Sequence, residues 1–195
     1  MFTNYTMNCK VFDMAEVVKR INDLKIWSFL NDKLANSYAV AGIMGNLYAE
    51  SQLIPNALEI IYRKKLGFES EDYTASVDSG EYTNFASDAA GYGIAQWTWG
   101  PRKKALLDYA RSKGVSVSDL DMQLEFLWME LNGSYVHVLN KLKNISSIRE
   151  ASDIVLEDFE NPLNMSESVR QLRASYSEEY YQRFASGGSI QDRLP

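Results

Sequence analysis

The residues with the most chemical promise sit in two short segments. The first is Gly45-Asn46-Leu47-Tyr48-Ala49-Glu50-Ser51, where a largely apolar stretch at helical spacing ends on a single carboxyl group. The carbonyl end of a helix carries partial negative charge, which disfavours ionisation of a nearby carboxylate. Apolar surroundings push in the same direction. A carboxyl that keeps its proton near neutral pH can act as the general acid that breaks a glycosidic bond. The plain alternative is a solvated glutamate finishing a helix, and spacing alone favours that alternative.

The second segment is Asp88-Ala89-Ala90-Gly91-Tyr92-Gly93-Ile94-Ala95-Gln96-Trp97-Thr98. Its two glycines allow tight backbone and the close approach of a ligand. Gln96 offers a donor and an acceptor to sugar hydroxyl or acetamido groups, and Trp97 offers a flat face. Here the alternative is an ordinary buried turn around a core tryptophan.

Other chemistries are excluded by what the chain lacks. It has one histidine, His137, and one cysteine, Cys9. A zinc hydrolase needs several His, Cys or carboxylate ligands in close array, so no metal site is expected. A Cys–His peptidase would have to pair Cys9 with His137, and no nucleophile motif surrounds Cys9. No intramolecular disulfide is possible. Any hydrolytic chemistry must therefore rest on carboxylates, and no cofactor is implied.

The elements that position these groups read as helices. Val11, Met14, Val18, Ile21 and Leu24 predict a first amphipathic segment, and residues 26–34 a short helix. Ser37 is expected to cap the helix that places Val40, Ile43, Met44 and Leu47 on one face. Gly42 and Gly45 cost helix propensity there, which points to close packing of another helix. Pro55 ends that element, and a short helix is expected over residues 57–65. Residues 67–96, rich in Gly, Ser, Asp and Thr, predict an irregular or hairpin insert. Such stretches inside a compact domain are usually functional or mobile.

Helices then resume. Pro101 suits the first turn of one running to about residue 113. Leu120, Leu124, Leu127 and Leu131 form a stripe on the next. Ser147 and Glu150 make a capping box. Val169, Leu172, Tyr176, Tyr180 and Phe184 mark a last long helix, and residues 187–195 suggest a flexible tail or the start of a linker. The expectation is a mainly α fold.

With 195 residues, 46% hydrophobic and 24% charged, the chain suits one globular domain. Its net charge of −6 and lack of a basic tract argue against nucleic acid as a partner. Residues 1–10 lack the basic start and apolar run of a secretory signal, and no stretch is apolar enough to span a membrane. A protein of this kind, if it acts outside the cell, would leave by lysis, through a membrane pore or on a virion.

The two segments together carry a family resemblance. Residues 42–51 and then 91–98, followed by Arg102-Lys103, resemble the opening and second motifs of the phage tail lysozyme-like domain of endolysins and tail proteins. The Glu50-Ser51 pair and Gly93-Ile94-Ala95-Gln96 also resemble motifs of goose-type lysozymes and lytic transglycosylases. Met122-Gln123-Leu124-Glu125-Phe126-Leu127 looks like a later helix of the phage family. Glu160-Asn161-Pro162 is similar to its Glu-Arg-Pro segment, with Asn161 a departure. The resemblance covers residues 24–186, leaving residues 1–23 as an unrecognised N-terminal segment.

The resemblance implies a lysozyme-like fold, a glycan groove and peptidoglycan as substrate. It maps the acidic residue onto Glu50, and Tyr92 and Gln96 onto the groove floor. Ser51, Trp97 and Thr98 are further candidates for sugar contact. The expected reaction is protonation by Glu50 of the bond between N-acetylmuramic acid and N-acetylglucosamine. An inverting hydrolase adds a second carboxylate roughly 6.5–9.5 Å away to activate water. Asp88, just before the Gly-Tyr-Gly turn, is the first candidate and Asp78 the second, although both could be ordinary turn-capping aspartates. A lytic transglycosylase needs no second carboxylate, because the substrate's own C6 hydroxyl attacks. A glycan-binding wall module without catalysis is a third reading, and a wall-binding or tail domain outside this chain is a possible partner.

Overall fold

The structure, a computed structural model, describes residues 14–185. Cys9, Val11 and the tail from 187 onward lie outside the described residues. Within them the chain is helical: α1 (Met14–Leu34), α2 (Ser37–Ser51), α3 (Ile60–Leu66), α4 (Ser70–Ser79), α5 (Gly100–Lys113), α6 (Leu120–Asn132), α7 (Val136–Leu142), α8 (Ile148–Val155) and α9 (Glu167–Phe184). One π-helical turn, Leu156–Glu160, extends α8.

The mainly α expectation holds, with differences that have physical causes. The two expected N-terminal helices are one, and α1 runs unbroken through residues 23 and 24. Its buried face is not the predicted stripe. Met14, Val18 and Ile21 are exposed, whereas Asp23, Ile26, Trp27 and Leu30 are buried. Asp23 is fixed there by Arg183 of α9 at 2.6 Å, so an ion pair sets the rotation of α1 where apolar spacing suggested another face. On α9, likewise, Leu172 is exposed and the buried positions are Arg173, Ser177, Tyr180 and Phe184. The predicted stripes on α6 are buried throughout.

Helix α2 is the centre of the molecule, packed by α1, α8 and α9. Its cap is Asn36 rather than Ser37: Asn36 Oδ1 accepts from the backbone N–H groups of Tyr38 and Ala39 at 3.1 and 3.3 Å. The same side chain donates to the Ile145 carbonyl at 2.9 Å, tying the start of α2 to the loop before α8. Gly42 and Gly45 serve close packing, as expected. A methyl group on Gly42 would lie 2.7 Å from Ala151 Cβ of α8, and one on Gly45 would collide with Ser177 of α9. Because α8 and α9 approach so closely, the groups they carry near the end of α2 come within reach of Glu50.

Residues 67–96 are not a hairpin. They begin with α4 and continue as coil with isolated bridges, Tyr92 pairing with Leu58 and with Trp97. The acidic first turn of α4 (Glu71, Asp72) suits a helix N-terminus, a signal outweighed in the sequence by the surrounding Gly and Ser. Residues 80–99 then form the irregular stretch. Gln123 of α6 anchors it from within: its Oε1 accepts from Ile94 N–H at 3.0 Å, and its Nε2 donates to Pro55 and Val117 carbonyls at 2.7 and 2.8 Å.

Candidate active site

A cleft of about 690 Å³ opens where the end of α2, the start of α3, the irregular stretch, the first turn of α5 and the π turn converge. Glu50, Glu59, Gln96, Thr98, Trp99, Arg102 and Glu160 all line it.

Glu50 lies in the last turn of α2 with its side chain 21% exposed. It does not meet the apolar surroundings expected of it. Arg173 of α9 holds its Oε1 in an ion pair. Arg173 is itself oriented by Asn46, one turn before Glu50, whose Oδ1 accepts from the guanidinium at 3.2 Å. Asn46 in turn donates to the Gly42 and Ser152 carbonyls at 2.9 and 3.1 Å. The buried amide thus links α2, α8 and α9 at the base of the site.

Glu160 closes the π turn. Such insertions shift the register of a helix and are frequent at functional sites. Here Asn161 follows in the left-handed region at φ +45°, its N–H bonded to the Leu156 carbonyl at 2.8 Å, and the chain leaves across the cleft mouth. The Glu160 Oε1 is shut off from solvent and has no hydrogen-bond partner among the described residues. Both neighbouring guanidiniums are already engaged. Arg102 grips Glu130 through two bonds of 2.7 and 2.8 Å, and Arg173 is taken by Glu50 and Asn46. Burial pushes the Glu160 carboxyl up to about 8. The charge of Glu50 pushes the same way, against the weaker pull of Arg173 and Arg102.

The opposite side is built on Gly91. Its N–H donates to Glu59 Oε2 at 3.0 Å, and its carbonyl accepts from Glu59 N–H at 2.9 Å. Gly91 has no room for a side chain, because an added Cβ would lie 2.7 Å from Gln96 Oε1. Gln96 stands at φ +43° and donates to the Ala57 and Gly93 carbonyls at 3.0 and 3.1 Å. A non-glycine residue in that conformation is strained, and such strain collects at functional sites. Thr98 is exposed on the rim, and Trp99 beside it is 67% exposed.

Of the residues expected from sequence to be catalytic or to contact sugar, Glu50, Gln96 and Thr98 meet in this cleft. The others do not line it. Tyr92 is fully buried under the floor, its hydroxyl 2.6 Å from Thr74 Oγ1. Trp97 is also fully buried, with Nε1 donating to Glu130 at 2.9 Å, which helps hold the Arg102 partner in place. Ser51 ties the helix end to the turn, donating to the Ile94 carbonyl at 2.8 Å. Asp88 is sealed in the interior against Lys103 at 2.5 Å and accepts from the Tyr73 and Tyr82 hydroxyls. Asp78 accepts from Ser116 Oγ at 2.5 Å and from Val117 N–H at 2.9 Å, away from Glu50.

Sequence reasoning missed Glu59, Tyr62, Trp99, Arg173 and a role for Glu160. Glu160 had a visible signal, since it opens the Glu-Asn-Pro segment; the others carried none. His137 is exposed on α7 and does not line the cleft.

A helical domain with a carboxyl at the end of its central helix, facing an open cleft of polar and aromatic side chains, has the layout of a lysozyme-like domain. The match of the phage tail lysozyme family model to residues 21–184 agrees, and the chain belongs to that family.

Proposed function

We propose that this protein cleaves the glycan strand of peptidoglycan between N-acetylmuramic acid and N-acetylglucosamine, with Glu50 protonating the glycosidic oxygen. Family membership supports the peptidoglycan-lytic, lysozyme-like activity. The observation that carries the finer reading is the position of Glu50, at a helix end and inside the one cleft where other carboxylates, Gln96 and Trp99 converge. The wall is reached after lysis or from the virion.

As the C1–O bond breaks, the departing sugar takes the bonding electrons and the proton, leaving an oxocarbenium-like centre. Water then attacks in a hydrolase, and the C6 hydroxyl attacks in a transglycosylase. We favour the hydrolase, because additional carboxylates line the cleft to receive the proton of water.

The test is digestion of purified peptidoglycan by wild type and Glu50→Gln, with soluble products identified by mass spectrometry. Reducing-end muropeptides from wild type, reduced roughly 10²–10⁴-fold in the variant, are expected. Anhydro-muropeptides would reassign the reaction to a transglycosylase. No release from any wall type, with the protein still pelleting on walls, would reduce it to a binding module.

A further inference from the structure

We propose that Glu160 is the second carboxyl of the reaction, and that Glu50 and Glu160 hold one transferable proton between them. The inference rests on the glycan-cleaving reading above and supplies the partner that Asp88 and Asp78 do not. Both side chains line the same cleft, Glu50 from α2 and Glu160 from the π turn that extends α8, which packs on α2.

The charged groups around the pair decide how it titrates. From α9 comes Arg173, from α5 Arg102, from α6 Glu130, and across the cleft stands Glu59. Arg102 is neutralised by Glu130 in a bidentate pair, and Arg173 makes its contact with Glu50. Among the described residues no guanidinium hydrogen-bonds Glu160 Oε1, and it has no other partner. An ionised carboxylate in that position would leave Oε1 shut off from solvent and unpaired, beside another carboxylate. Burial and then the charge of Glu50 favour the protonated form of Glu160, so the site retains a proton there.

That shared proton gives the site an acid and a base at once. The proton moves from Glu160 by way of Glu50 to the glycosidic oxygen while C1–O breaks. Both groups are then carboxylates. Attack on C1 by water forms a C–O bond and frees a proton, which returns to the pair. The next cycle starts from the same state, with no further reactant consumed.

The experiment is the pH dependence of peptidoglycan solubilisation from pH 5 to 9 for wild type, Glu160→Gln, Glu160→Asp and Glu50→Gln. Wall pelleting and thermal melts are measured on each. Wild type should keep activity until an alkaline limb near pH 8, the range to which burial raises Glu160. Glu160→Gln should lose roughly 10²-fold at pH 7 with wall binding retained, and its alkaline limb should move at least one pH unit lower. Glu160→Asp should recover part of the loss. A Glu160→Gln profile that superimposes on wild type would overturn the proposal. So would an equal loss at every pH with no rescue by Asp and a lowered melting temperature, since Glu160 would then only pack. Failure of the underlying reading looks different: wild type releases nothing, or Glu50→Gln cuts as well as wild type.

Discussion

Lys103 Nζ lies 2.5 Å from Asp88 Oδ1, and neither side chain meets solvent. Lys103 also donates to the Ala90 carbonyl at 2.7 Å, and Asp88 Oδ1 accepts from Ala90 N–H at 3.0 Å. The pair therefore pins α5 to the stretch that leads into the Gly91 turn. Removing one partner of such a pair leaves an uncompensated buried charge, at about 3–5 kcal/mol. Asp88→Asn should lower the melting temperature by roughly 6–20 °C for a domain of this size, read by circular dichroism. Loss of activity should follow loss of fold: product per folded molecule, measured well below the midpoint, should fall far less than in Glu50→Gln. A stable Asp88→Asn with abolished turnover would put Asp88 in the chemistry after all.

Glu160 should make stability depend on pH. Its carboxyl binds a proton more tightly in the folded state than in the unfolded chain, where it has an ordinary value near 4.5. Below that value both states are protonated and the group contributes fully. As pH rises from 4.5 toward 8 the unfolded state loses its proton while the folded state keeps it, so stability is lost across that window. Glu160→Gln cannot ionise. It should melt at the same temperature as wild type near pH 4 and increasingly above it between pH 5 and 8. A constant difference across that range would mean that the carboxyl is not held neutral by the fold.

Trp99 should matter to binding but not to folding. It is 67% exposed on the cleft rim. Exposed substitutions of this kind usually stay within about 0.5 kcal/mol in stability. Loss of an aromatic face from a ring contact costs roughly 0.5–1.5 kcal/mol, or about two- to tenfold in affinity. Trp99→Ala should raise KM for glycan by that factor while leaving kcat and the melting temperature close to wild type. An unchanged KM, checked on soluble glycan fragments, would remove Trp99 from the sugar path.

Much of this architecture was legible because short-range rules dominate it. The α6 stripe, the Ser147 cap and the first turn at Pro101 follow from periodicity and capping alone. Gly42 and Gly45 announced a close helix partner without saying which one. Periodicity failed where buried polar groups set the geometry. The faces of α1 and α9 are fixed by Asp23 with Arg183 and by Arg173 with Glu50, and an apolar scale ranks those positions as solvent-facing.

The site shows the same division. Glu50 drew notice as a lone carboxyl ending an apolar run, but spacing alone favoured a solvated glutamate, and the resemblance carried by residues 42–51 and 91–98 decided for it. Tyr92 and Trp97 were misplaced because a tyrosine or tryptophan beside glycines suits a ligand platform and a packed turn equally well. Asp88 drew attention through its neighbours, but its partner Lys103 lies fifteen residues on and signals nothing by spacing. Arg173 is 123 residues from Glu50, beyond any local pattern.

That separation has a consequence for how the protein is made. Helix α2 emerges in synthesis before the guanidinium that Glu50 pairs with and before the π turn that carries Glu160. Gly42 and Gly45 leave shallow slots on α2 that stay empty until α8 and α9 are present to fill them. A nascent chain therefore carries its acid without the groups that surround it, and the cleft takes shape only when the C-terminal quarter docks. Assembly through such distant contacts is slow compared with local helix formation. Lytic competence would then be gained late, as a single event near the end of folding.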